Sequence, residues 1–149
     1  MTMKSRLVDD MKQAMRDKDA LRRDTIRYLR SEIRNQEIRD QKELDDAGVI
    51  QVLSRQVQQR KDSIEVYRDA GRSDLVNKEE SELSVIVAYL PQQLSGAEIT
   101  DLVRQVVADV GATGPGDMGK VMGAIMPQVR GKAEGREVNA IVQQTLRNL

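Results

Sequence analysis

The chain has 149 residues with 24 Lys and Arg against 24 Asp and Glu, room for one domain or two small helical subdomains, with no net field to draw in nucleic acid or a membrane. Cys and His are both absent, which excludes disulfides, thiolate zinc sites, cysteine nucleophiles and the commonest general base and metal ligand. Phe and Trp are missing too, so the core must be packed from Leu, Ile, Val, Met and Ala, which favours helix on helix and an all-α fold.

Leu7, Met11, Ala14 and Met15 recur at the helical period and predict a first helix over residues 3–17. Asp19 reads as the cap of a second, over 20–39, with Leu21, Thr25, Leu29 and Ile33 on a core face and Ile26 and Tyr28 on its borders. A third helix over 47–70 carries Ile50, Leu53, Val57, Arg60, Ile64 and Tyr67 at 3-4 spacing, and Gly71 ends it as the C′ residue. The fourth, over 73–90, repeats that spacing with Val76, Glu79, Leu83, Ile86 and Leu90 before Pro91, which predicts an antiparallel hairpin with a coiled-coil seam. Arg60 and Glu79 sit at seam positions, and counting outward from the turn predicts that they pair.

The stretch Leu90–Gly96 is the boundary: Pro91 stops one helix, and Ser95 with Glu98 makes a capping box for the next. The division expected is an N-terminal helical bundle over 1–92 and a C-terminal three-helix domain over 93–149. The three helices are read over 96–110, 117–129 and 135–148, on Ile99, Leu102, Val103, Val106 and Val110 in the first and Val138, Ile141, Val142 and Leu146 in the last. No apolar h-region follows the N-terminus and no run approaches the roughly 18 apolar residues of a membrane span, so the expectation is a cytoplasmic protein with no membrane role.

Three groups of residues bear on function. Arg23, Arg27, Arg30 and Arg34 recur at i, i+4, i+7 and i+11, which puts four guanidinium groups in a narrow arc on the side of the second helix away from its apolar face. Arg presents a planar fork that matches phosphate, so the stripe is a candidate phosphate track; the competing account is a solvated face neutralised by Asp24, Glu37 and Asp40. Arg130, Lys132 and Arg136 crowd a Gly-punctuated turn before the last helix, where they and the helix-start N–H groups form a second candidate, with Lys120 adding to it, against the alternative of an ordinary basic turn.

Gly114-Pro115-Gly116-Asp117-Met118-Gly119 matches a dinucleotide-binding glycine pattern but has no strand before it, so Asp117 is expected to cap a helix while Gly119 and Gly123 admit a close neighbour. Met118, Met122 and Met126 make an apolar helical face, read as core or as an adaptable partner surface. No carboxylate or Lys is marked by its spacing as nucleophile, base or metal ligand, and no cofactor is called for.

Several blocks in order, Gln59-Arg60-Lys61-Asp62-Ser63-Ile64, Ala70-Gly71-Arg72-Ser73-Asp74-Leu75, Tyr89-Leu90-Pro91-Gln92-Gln93-Leu94-Ser95 and Asp117-Met118-Gly119-Lys120-Val121-Met122-Gly123, closely resemble the YqeY-like proteins across nearly the whole chain. That family is related to the C-terminal tail of the B subunit of tRNA-dependent amidotransferases, and Gly131-Lys132-Ala133 with Val138-Asn139 carries the likeness to the tail. In the amidotransferase the tail helps hold tRNA while amide transfer and acyl activation belong to other parts, which this chain does not resemble. The resemblance therefore implies a non-catalytic module that binds tRNA or associates with an amidotransferase, linked to carbon–nitrogen ligase activity with glutamine as amido-N-donor rather than performing it alone. Its departure is Glu134-Gly135, where Asp or Asn is the expected cap. The alternative is a protein-interaction adaptor that uses the Met face and has no nucleic-acid role.

Overall fold

The computed structural model describes residues 1–149 as seven α-helices without strands. They are α1 (Met3–Arg16), α2 (Ala20–Asp40), α3 (Asp46–Asp69), α4 (Ser73–Val87), α5 (Gly96–Val110), α6 (Met118–Val129) and α7 (Gly135–Arg147), with a single 3-10 turn at Pro115–Asp117 before α6. The chain divides into two compact units, Met1–Leu90 and Pro91–Leu149.

Local chemistry sets the helix ends. Thr2, Asp19, Asp45 and Ser95 each accept a backbone N–H of the following first turn, and Ser95 with Glu98 completes the reciprocal capping box. Gly71 follows α3 with φ +71°, a left-handed conformation that a Cβ would strain. α4 ends at Val87, three residues short of the expected Leu90, because Pro91 disfavours helical backbone in the residue before it and would crowd the carbonyl of Val87.

In the first unit Leu7, Ile26, Leu29, Ile33, Val49, Val52, Leu53, Val57, Ile86 and Tyr89 form one buried cluster. α3 packs most extensively on α4, and α2 also rests on both. Because α3 has three neighbours, α1, α2 and α4, its buried arc is wider than a hairpin seam and takes in Val49, Val52 and Gln56. Two expected core positions are solvent-facing: Met15 lies in the last turn of α1, and Leu21 lies in the first turn of α2, at the rim of a cavity it shares with Arg60, Lys78 and Glu82. Ile26, expected at a border, is fully buried instead.

The second unit closes α5, α6 and α7 around Ile99, Val103, Val106, Val107, Val121, Ile125, Val129, Val138, Val142 and Leu146. Short β-branched side chains dominate this core, so helix backbones can approach closely without aromatic volume.

Candidate nucleic-acid interface

On α2 the four arginines do share one arc, since residues at i, i+4, i+7 and i+11 fall within about 60° at 100° per residue. The arc is a flank of the apolar face rather than its opposite, lying about 100° round from the buried Ile26, Leu29 and Ile33. α1 packs beside it, so Arg30 is half-buried and its Nη1 reaches the Met11 sulfur at 3.7 Å. Asp24 neutralises the first half of the stripe, at 2.9 Å from Arg23 Nε and 3.8 Å from Arg27 Nη1. The Arg23 hydrogen bond holds the Asp24 carboxyl below the ordinary carboxylate range.

The second half gains a neighbour that no spacing rule reveals. Lys4 of α1 joins Arg30 and Arg34 around a cavity of about 110 Å³ whose one carboxylate is Glu37. Glu37 accepts from Lys4 Nζ and from the backbone N–H of Leu44 at 2.8 Å, and these bonds, Lys4 first, pull its carboxyl downward. Three cations around one carboxylate leave the wall of this cavity net positive.

The basic turn between α6 and α7 is built differently. Gly131 is buried with φ +78°, which turns the chain sharply after α6. Its carbonyl accepts from Gln93 Nε2 at 2.8 Å, and the Lys132 carbonyl accepts from the Leu94 N–H at 2.8 Å. The Lys132 N–H donates to the Val129 carbonyl at 2.8 Å. With its backbone tied down, the turn presents Arg130, Lys132 and Arg136 as exposed side chains. Spacing along the sequence does not mark Gln93 and Leu94 as the residues that hold the turn, because a long-range tie leaves no periodic trace. Glu134 occupies the N-cap of α7 in extended conformation with no side-chain bond to the helix N–H groups.

The structure corrects several local expectations. Asp117 stands at the N-cap of α6 but makes no capping bond; its carboxylate turns back to the Thr113 N–H at 2.8 Å and hydroxyl at 3.3 Å, contacts that lower its pKa. Gly119 and Gly123 admit no close helix, for a Cβ built on either meets nothing within 4 Å and both face solvent. The helix instead turns Val121, Ile125 and Val129 inward, so these glycines share an open face with Lys120. Met118, Met122 and Met126 are half-buried against the core of the second unit. Arg60 pairs with Glu82, at 3.3 Å, and not with Glu79, one turn earlier on α4, because the way α3 and α4 cross sets which of the two faces it.

Acidic side chains nowhere gather in a group of three or more that could hold a metal ion, and no helix is long and apolar enough to cross a membrane.

Comparison with known proteins adds to this geometry. A relative from Lachancea thermotolerans, altered inheritance of mitochondria protein 41, mitochondrial, is 44% identical over 112 residues, 73% of this chain and 60% of the relative. Its namesake in Pyrenophora tritici-repentis is 32% identical over 134 residues, 89% of this chain and 74% of the relative, and that of Vanderwaltozyma polyspora is 45% identical over 86 residues, 56% and 46%. The chain thus spans from under half to about three quarters of the length of these relatives. All three carry "mitochondrial" in their names, a compartment other than the cytoplasm expected from the N-terminal sequence. The family model described as Yqey-like protein matches residues 4–146, from the first turn of α1 to the last of α7, and the chain belongs to the YqeY-like family.

Proposed function

We propose that the chain is a non-catalytic tRNA-binding module associated with glutamine-dependent amide transfer, in which α1–α4 form a hairpin-based bundle and α5–α7 act as an amidotransferase tail-like domain. The observation that carries this reading is the α6–α7 turn, where Arg130 and Lys132 are exposed on a backbone already fixed by Gln93 and Leu94. A rigid, cationic turn loses little order when it meets phosphate, which is what an electrostatic contact to a nucleic acid backbone requires. The bare face at Gly119 and Gly123 lets a sugar-phosphate chain come near the α6 backbone beside Lys120. The second contact on this reading is Arg30, Arg34 and Lys4, while Arg23 and Arg27 contribute least because Asp24 already serves them.

Charge balance limits the strength. The second unit holds six basic and six acidic residues, so attraction is confined to the turn and its surroundings. With about four phosphates neutralised there, the log of affinity for tRNA falls with the log of salt at a slope of about −3. Binding of purified protein to bulk tRNA across a salt series tests this. Arg130→Glu with Lys132→Glu is expected to weaken binding at least tenfold and to flatten the slope by roughly 1.5, whereas Arg23→Glu with Arg27→Glu changes both far less. Unchanged affinity and slope in the first variant sinks the reading.

The adaptor alternative is less well supported, since the Met side chains that would form its surface are packed against the core. The module reading does not depend on the compartment.

A further inference from the structure

The buried polar side chains of the chain, Thr25, Gln56 and Arg60, lie around one place in the first unit. Arg60 is 8% exposed and lines a cavity of about 360 Å³ together with Asp24, Thr25, Tyr28, Lys78 and Glu82. Its Nη1 donates to Gln56 Oε1 at 2.9 Å, and its guanidinium carbon lies 5.3 Å from the centre of the Tyr28 ring. Both contacts orient the guanidinium plane. Its Nε is buried and has no hydrogen-bond acceptor: the Glu82 carboxylate is 3.3 Å away, near enough for an ion pair but not aligned to accept the proton. A buried guanidinium N–H without an acceptor, on a side chain that also lines a cavity, is a costly arrangement for a purely structural ion pair.

The charge pattern of the walls limits what fits. Arg60 and Lys78 are positive, Glu82 and Asp24 negative, and all four border the same space, with Glu82 3.3 Å from Arg60 and Asp24 shared with Arg23 at 2.9 Å. A simple anion would meet two carboxylates and a simple cation two cationic groups, whereas a molecule with both charges a few bonds apart meets an opposite charge at either end. The volume is near the lower end for small-molecule sites, which suits a ligand of amino-acid size better than a nucleotide. We infer that this cavity binds a small zwitterion of the α-amino acid type, its carboxylate held between Arg60 and Lys78 and its ammonium group facing Glu82 and Asp24. The site is independent of the proposed tRNA contacts at the α6–α7 turn.

The test is a titration of the full chain, followed by ¹H–¹⁵N NMR, with each standard L-amino acid in turn up to about 20 mM, a range that reveals millimolar binding. Acetate and methylammonium serve as probes of single charge. At least one amino acid is expected to shift the amides of Thr25, Tyr28 and Lys78 and the Arg60 Nε–H signal to saturation, while neither single-charge probe does. Arg60→Met puts the fold at risk, so the exposed rim variant Lys78→Glu carries the mutational arm; it should weaken the response at least tenfold with its circular dichroism melt unchanged. The inference is overturned if no amino acid saturates these signals, if acetate or methylammonium binds as tightly, or if Lys78→Glu keeps the affinity.

Discussion

A guanidinium taken out of water costs several kcal/mol unless its partners make up the loss, and Arg60 shows how one chain offsets part of that cost while leaving its Nε–H without an acceptor. Gln56 on its own helix, Glu82 on α4 and the Tyr28 ring on α2 all converge on it. Truncating Arg60 to Ala strands the half-buried Glu82 charge and opens a void, so urea unfolding should show a loss of about 3 kcal/mol. Replacing both partners, Arg60→Met with Glu82→Leu, is expected to recover most of that loss, because an apolar pair of similar volume avoids the desolvation. Equal losses in the single and double variants would contradict this account. That Arg60 breaks an apolar seam is visible in the sequence, but its partner is not: Glu79 and Glu82 are three apart and both project from α4 toward one side, so only the crossing of α3 and α4 decides between them.

At the scale of elements, the helices follow from rules that act within a few residues. Side-chain caps at Asp19 and Ser95, the left-handed Gly71 and the stop before Pro91 are all local chemistry, and each stands where the spacing of residues predicts it to within a few positions. Glycines inside α6 are another matter, for a helical glycine has two explanations, close packing or functional openness, which the sequence cannot separate. The structure leaves open space at Gly119 and Gly123. Gly119→Ala and Gly123→Ala should therefore each stabilise the protein, by about 0.5 to 1 kcal/mol, through helix propensity and a less entropic unfolded chain. Thermal melts check this, and a destabilisation would show that something packs on that face. If the α6 face meets tRNA, the same variants lose affinity while gaining stability.

Across the whole molecule, stability should be flat between about pH 5 and 9, since there is no His to titrate there. On the acid side, Asp24, Glu37, Asp74, Glu98 and Asp117 all have carboxyls pulled below their ordinary range, by Arg23, by Lys4 and the Leu44 N–H, by Arg72, by Ser95 and by the Thr113 N–H respectively. A depressed folded-state pKa means that the unfolded chain binds protons first, so this stabilisation is present above the unfolded value and is lost as the pH falls below about 4. On the alkaline side Tyr89, buried and donating to Asp10 at 2.5 Å, has a raised pKa, chiefly from burial. The sign is opposite: its contribution is complete below the unfolded tyrosine value and drains away as the pH rises past about 10. Denaturant midpoints measured from pH 2 to 11 should trace this plateau, with Tyr89→Phe flattening the alkaline limb; a midpoint that moves between pH 6 and 8 would refute it.

By itself the sequence determined the all-helical class, most helix ends, the breakpoint chemistry around Pro91 and Ser95, and the family, because periodicity, caps and ordered motif blocks are written in neighbouring residues. It also identified which cations are clustered along the chain. Only the tertiary structure decided which of them are already neutralised and which are presented: Asp24 serves Arg23 and Arg27, Lys4 comes from another helix to join Arg30 and Arg34, and Gln93 with Leu94 pins the turn that exposes Arg130 and Lys132. The physical reason is range. Helix formation is settled by bonds between residues a few positions apart, whereas the electrostatic state of a side chain depends on whatever charge the fold brings within a few ångströms, from however far along the chain.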